Sequence, residues 1–311
     1  MYGTKVIPVP SIAYFGPQGT FSEQAARAAR PDHTLVPAAT VPEALVMVRR
    51  GDTDLACVPV ENSVEGAVSA TMDALAVDEP LVAVAEAVLP VRFSLLVRPG
   101  TALADVKSVA SHPHALAQVQ GWLAIHLGQA TQLASTSTSA AAVGVLDHQY
   151  DAAITAPVAA THYALDVLHT DIADVDDAVT RFLVLRKPGE LPAPTGSDRT
   201  SIAVRLAAER TGVLAEMLTE LALRGINLSR IESRPLKGRL GEYRFYLDFD
   251  GHVAERRVGA ALAALHRRCQ HVRFLGSYPK ADATPTIAGP DNADEDYAAA
   301  DDWVTRLRGV V

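Results

Sequence analysis

Cysteine is scarce: Cys57 and Cys269 are the only two, far apart and in neither a zinc-ligand nor a redox spacing. That rules out a disulfide scaffold. Both thiols read as small buried hydrophobes of a protein kept in a reducing compartment, the cytoplasm. Basic charge is short as well, with 28 Lys and Arg against 36 Asp and Glu and a formal net charge of −8. A nucleic-acid binder or a protein docked on an anionic membrane carries a basic face, so neither is expected here. A pocket for a small anion needs only local positive charge and stays open. No apolar run is long enough to span a bilayer, and "MYGTKVIPVP" reads as a short arm rather than a signal peptide. The phosphate-cradling G-x-G-x-x-G and G-K-[ST] patterns are missing, and no internal repeat is visible.

What is present is apolar residue in quantity, 49% of 311, enough to bury a sizeable core and to fill two domains. Up to about residue 187, short apolar strands alternate with amphipathic helices. Strands are expected at 11–15, 35–37, 54–60, 81–89, 93–97, 108–111, 152–155 and 182–185. Helices are expected at 22–29, 41–49, 67–75, 115–126 and 140–146. This alternation predicts an α/β fold whose mostly parallel sheet is covered on both faces. "KPGELPAPTGSDRT", residues 187–200, is a linker by its Pro, Gly and Ser content. Beyond it the order changes to strand, helix, strand, strand, helix, strand: the βαββαβ plan of a ferredoxin-like domain over residues 200–280. The tail, residues 281–311, is acidic; Trp303 and Leu307, at i and i+4, predict a last helical turn docked on the body.

Polar groups cluster where these strands end, the usual place for a ligand in an α/β sheet. "FGPQGTFSEQA" (15–25) is a Gly-rich strand-to-helix turn whose free N–H groups suit an anion, or an ordinary βα turn with Ser22 as cap. "CVPVENSVEG" (57–66) runs an apolar strand into Glu61, Asn62 and Ser63; a helix cap and a ligand site are both open. "SHPHALAQ" (111–118) offers His112 as a proton carrier or a turn cap, with Pro113 at a first helical position. "ASTSTSAAA" (134–142) is a hydroxyl-rich junction. "DDAVTRFLVL" (176–185) places Thr180 and Arg181 at the mouth of a buried strand, where Arg181 either snorkels or offers its fork to a carboxylate. No His or Lys neighbours Thr180 in sequence, so a nucleophilic triad is not indicated.

Taken in order, these motifs resemble the prephenate dehydratase family, whose catalytic domain carries GPxGTFSExA, ENSxxGxVxxTxDxL, HPxALxQ, an ST-rich turn and TRF. Gly16–Ala25, Glu61–Leu75, His112–Gln118, Ser137–Thr138 and Thr180–Phe182 match them, and "ESRP" at Glu232–Pro235 resembles the ACT regulatory domain. The resemblance spans roughly residues 11–280. It implies a catalytic domain over 11–187 of the two-lobed, type II periplasmic-binding-protein-like kind, its second lobe inserted near 90–175. A linker at 188–199 and a ferredoxin-like ACT domain at 200–280 follow.

It further implies a lyase that converts prephenate to phenylpyruvate, carbon dioxide and water in L-phenylalanine biosynthesis, with no cofactor and no metal. Thr180 would help the ring hydroxyl depart, Arg181 would hold a carboxylate and Phe182 would pack behind them. Thr20, Glu61, Asn62, Ser63, Ser137 and Thr138 would line the cleft. L-Phenylalanine would act as allosteric effector at Gly212, Val213, Leu214, Asn227 and Leu228, with Glu232, Ser233 and Arg234 nearby, between paired copies in a homodimer or homotetramer. The chain departs from the family at Ala178, where Asn is usual, and at Arg210–Thr211, where Asn-Pro usually opens the ACT helix. Nor does the tail past residue 280 match a family motif. An arogenate dehydratase and a non-catalytic amino-acid sensor are the alternatives with the same architecture.

Overall fold

A computed structural model describes residues 9–206, 211–236 and 242–309; most of the expected N-terminal arm, and Arg210, lie outside the described residues. The chain divides into two units, one of residues 9–74 and 87–186, the other of 75–86 and 187–309.

The first unit holds two α/β lobes. In the first lobe, β1 (Ser11–Phe15) lies between β2 (Thr34–Ala38) and β3 (Leu55–Asn62), both parallel to it. Helices α1 (Phe21–Ala29) and α2 (Val41–Arg50) connect them. A two-residue β4 (Gly66–Ala67) folds back on β3 before α3 (Ser69–Val77). After β5 (Val82–Pro90) the chain enters the second lobe. That lobe consists of β6 (Ser94–Val97), β7 (Ser108–Ser111), α4 (Pro113–Ala117), α5 (Gln120–His126), β8 (Thr131–Ala134), α6 (Thr138–Leu146), β9 (Ala152–Thr155), α7 (Ala159–His162) and β10 (Asp166–His169), with strand order β10-β6-β9-β7-β8. β11 (Val179–Arg186) then returns to pair with β3. Outgoing and returning segments meet where Val91 N–H donates to Ala178 O at 2.8 Å.

Both sheets are mixed, where a mostly parallel one is expected from the sequence. The reason is the double crossing. A strand that has just arrived from the other lobe enters from the opposite end, so β11 runs antiparallel to β3 and β6 antiparallel to β9. The expected helix at 115–126 is broken in two. The Asp174 carboxylate accepts from Gly121 N–H at 2.9 Å and Trp122 N–H at 3.1 Å, starting α5 afresh from a residue 53 and 52 positions further along the chain. β4, β8, β10 and α7 are too short to show in the periodicity.

The second unit carries β12 (Asp198–Leu206), α8 (Val213–Ala222), β13 (Leu228–Pro235), β14 (Tyr243–Asp250), α9 (Arg256–Arg268) and β15 (Cys269–Pro279) in the expected βαββαβ order, antiparallel and ordered β13-β14-β12-β15. Ile202, Val204, Leu247, Phe249, Met217, Leu221 and Leu265 form its core, all 3% exposed or less. The start of β5 pairs parallel with β15 through Ala83 and Gly276. Gly276 has φ +140° and a Cβ there would run into Ala83, so only glycine lets the two backbones meet. The tail forms α10 (Asp294–Leu307), longer than the single turn expected. Its attachment is polar. Asp294 accepts from Arg256 N–H and Asp301 pairs with the Arg256 guanidinium, both at 2.8 Å, while Trp303 and Leu307, expected to dock, are 57% and 66% exposed.

Candidate active site

Between the lobes of the first unit lies a cleft of about 440 Å³. Its floor is aromatic. Phe15, Phe21, Phe93 and Phe182 line it, and these are all the phenylalanines of this unit. Phe21 and Phe93 meet edge to face at 5.6 Å. The walls are hydroxyls and amides at the ends of strands and the starts of helices. Thr20 caps α1, accepting from Glu23 N–H at 3.3 Å and donating to Phe15 O at 3.1 Å, the capping role expected of Ser22. Ser137 caps α6 through Ala140 N–H at 2.9 Å, and Thr138 follows as the first helical residue. His112 caps α4 through its Nδ1. With the Thr20 and Ser137 hydroxyl oxygens engaged inside α1 and α6, the next N–H groups and the positive end of each helix dipole are left for an anion. Among the described cleft residues none is Lys or Arg; Glu65, His112 and His114 are the titratable ones.

The β3–β11 pair sets the chemistry. Thr180 opposes Asn62 and Arg181 opposes Glu61, but Phe182 opposes Pro59, so Val60 is skipped and β3 bulges. The bulge brings Pro59 and Asn62, three residues apart, onto one face; both line the cleft beside Thr180 and Phe182. Asn62 Nδ2 donates to Thr180 Oγ1 at 2.8 Å, and Asn62 Oδ1 accepts from Val64 and Glu65 N–H, closing the hairpin to β4 rather than capping a helix. Because Thr180 Oγ1 accepts from Asn62 Nδ2, its own proton is left available to a group in the cleft that it lines.

Arg181 is different. The backbone does bend here, but in the partner strand, so Thr180 and Arg181 keep to opposite faces as strand neighbours do. Arg181 lies off the cleft lining and 9% exposed, its guanidinium 3.9 Å from Glu61. Glu61 shares that face and leaves the lining too. Ser63 extends the ladder instead, its N–H donating to Val179 O and its Oγ accepting from Val179 N–H. Of the sequence-expected cleft residues, Thr20, Asn62, Ser137, Thr138, Thr180 and Phe182 come together; Glu61, Ser63 and Arg181 do not.

Gln118 is a cleft residue that sequence reasoning passed over. It is 7% exposed, its Nε2 donates to His114 O, and its Oε1 has no partner. The closing Gln of HPxALxQ was the available signal. Ala178, where the resemblance leads one to expect Asn, is 1% exposed in an apolar cluster with Val91, Phe93 and Ile172, while Asp176 and Asp177 are exposed and off the lining. Burial lowers the His112 imidazole below its usual range, assisted by neighbouring His114 and opposed by Glu65. Burial also pushes the Cys57 thiol up to about 12, leaving it an inert core group.

In the second unit, Gly212 precedes α8, Val213 and Leu214 open it, and Asn227 and Leu228 stand where β13 begins, past the helix's far end. Ten residues of helix separate the two stretches by about 15 Å, so one chain does not bring them together. Glu232 and Arg234 are half-buried on one side of β13 and Ser233 is exposed on the other.

Two α/β lobes around an aromatic-floored, hydroxyl-walled cleft, followed in the chain by a βαββαβ domain, define a two-lobed cleft protein with a ferredoxin-like companion. A family model described as prephenate dehydratase matches residues 12–190, and one described as ACT domain matches residues 200–268. A curated relative from Amycolatopsis methanolica, named prephenate dehydratase, is 59% identical over 300 residues, covering 96% of this chain and 97% of its own. The solved structure of a prephenate dehydratase from Arthrobacter aurescens, in complex with L-Phe, is 45% identical with a TM-score of 0.91 over 96% of this chain and 99% of that one. GqqA, described as a novel type of quorum quenching acylase, is 32% identical with a TM-score of 0.78 over 86% of this chain and 97% of its own. The chain belongs to the prephenate dehydratase family.

Proposed function

We propose that this chain is a lyase that converts prephenate to phenylpyruvate, carbon dioxide and water in L-phenylalanine biosynthesis, under feedback control by L-phenylalanine through its ACT domain. The observation that carries the reading is the Thr180 hydroxyl, held by Asn62 at 2.8 Å with its proton free for the cleft. Prephenate loses its ring hydroxyl and ring carboxylate together as the ring becomes aromatic. Aromatisation drives the reaction, so the protein has only to bind the ring, orient it and help the hydroxyl leave. Thr180 donates to the departing oxygen. The four phenylalanines take the ring. In place of Arg181, the N–H ends of α1 and α6, with Thr20, Ser137 and Thr138, receive the carboxylates. Exclusion of water from the ring carboxylate favours its departure as uncharged CO2.

The effector stretches at the two ends of α8 combine into one site when a second copy supplies the half that the first lacks, which favours a homodimer or a homotetramer built from it. No helix among the described residues is long and apolar enough to cross a membrane, and a cytoplasmic setting suits the two reduced cysteines. Phenylpyruvate formation from prephenate, wild type beside Thr180→Ala, tests the activity. The variant should lose about a hundredfold or more in kcat, as when a single transition-state donor is removed. A variant of unchanged kcat would move the chemistry elsewhere. The ratio of kcat/KM for prephenate and arogenate decides between those two substrates.

A further inference from the structure

A carboxylate buried as deeply as that of Glu23, 1% exposed, persists only with partners. It has three. Glu23 Oε2 accepts from Gly19 N–H at 2.7 Å, and Oε1 accepts from Arg27 at 2.9 Å and from His162 Nε2–H at 3.0 Å. They come from different places. Gly19 belongs to the loop between β1 and α1, Arg27 to the same helix, and His162 to α7 of the second lobe. Tyr163, the residue that follows α7, donates to Gln18 O in that same loop at 2.9 Å. Gly19 has φ +82°, and a Cβ there would lie 3.1 Å from both Ala159 Cα and the Tyr163 ring, so the loop rests flush on α7. Thr20 follows directly. It lines the cleft, and its side chain is tied to Phe15 O and Glu23 N–H. Neither Glu23 nor His162 lines the cleft, yet both hold the segment that does.

We infer that the Glu23–His162 pair is a latch between the two lobes that sets Thr20 and the first turn of α1 over the cleft, which makes His162 a positioning residue for the reaction. The latch rests on geometry; only its activity readout rests on the proposed dehydratase function. The test uses the full chain with His162→Leu and His162→Gln, reading hydrogen exchange over residues 16–20 without substrate and steady-state turnover of prephenate. The Leu variant, with no donor for Glu23, should exchange faster over 16–20 and lose between about tenfold and a hundredfold in kcat, the usual penalty for a displaced catalytic segment. The Gln variant, which still donates to Glu23, should stay near wild type on both counts. Should the Leu variant fold poorly, Tyr163→Phe removes only the bond to Gln18 and should loosen the same five residues. Unchanged exchange over 16–20 in the Leu and Phe variants, or a Gln variant as impaired as the Leu one, overturns the latch. A wild type inactive on prephenate that shows the expected exchange pattern overturns the dehydratase reading and leaves the latch standing.

Discussion

At Ala178 one methyl group stands where the family pattern that this sequence resembles leads one to expect an amide. Its surroundings explain how the chain tolerates the change. The side chain sits among Val91, Phe93 and Ile172, and the backbone carbonyl takes the Val91 N–H that joins the two crossing segments. An amide placed there has no polar partner in that cluster. Ala178→Asn is therefore expected to lower stability by about 1–3 kcal/mol with no gain in kcat, by denaturant unfolding and steady-state kinetics. A variant as stable as the parent with raised turnover would show that the amide reaches the cleft instead. Arg181 teaches the complementary lesson. Its sequence neighbourhood allows both a snorkelling cation and a carboxylate clamp, and the strand's alternation puts its side chain on the face opposite Thr180, off the cleft lining. Thr180 and Asn62, 118 residues apart, meet because β3 and β11 pair in one register.

Elements show which local signals suffice. β1 starts and stops where its apolar run does, and α2 ends in Gly51 with φ +86° after two arginines, an ordinary C-terminus. Other boundaries are set by residues from elsewhere. Asp174 starts α5, and Asp294 of the tail accepts from Arg256 N–H at the head of α9, where Glu255 makes no side-chain cap. Asp294→Ala should cost about 1 kcal/mol, as the loss of a helix cap does, and lower Tm. The dehydratase activity should be unchanged, since α10 takes no part in the cleft lining. A Tm equal to that of wild type would make the tail's contact incidental.

For the molecule as a whole, two predictions concern its response to solution. Burial alone would raise the Glu23 carboxyl; the Gly19 N–H, the Arg27 guanidinium and the His162 ring outweigh it and hold the carboxyl below the usual range. A group whose pKa falls on folding contributes stability above its unfolded value, about 4.3 for Glu, and loses that contribution as pH drops toward the folded value. Stability should fall on acidification below about pH 4.3, and Glu23→Gln should flatten that slope in acid titrations of unfolding. A parallel slope would place the acid sensitivity in other carboxylates. The second concerns the effector. L-Phenylalanine should bind in isothermal titration and lower activity through a coupling of about 1–3 kcal/mol. Absence of any heat of binding would remove the ACT domain from regulation.

By itself the sequence determined the alternation of strands and helices in the first unit, the βαββαβ order of the second, and the motifs that assign the family. All of these are local in the chain: hydrophobic periodicity, turn chemistry and short ordered patterns. The tertiary structure alone decided the mixed sheets, the Val60 bulge, the face that Arg181 and Glu61 occupy, the Asp174 and Asp294 caps, and the Glu23–His162 pair. Each depends on which strand or helix end arrives beside another once distant stretches of the chain have packed together. That outcome comes from burying many apolar faces at once, and no window of a dozen residues contains it.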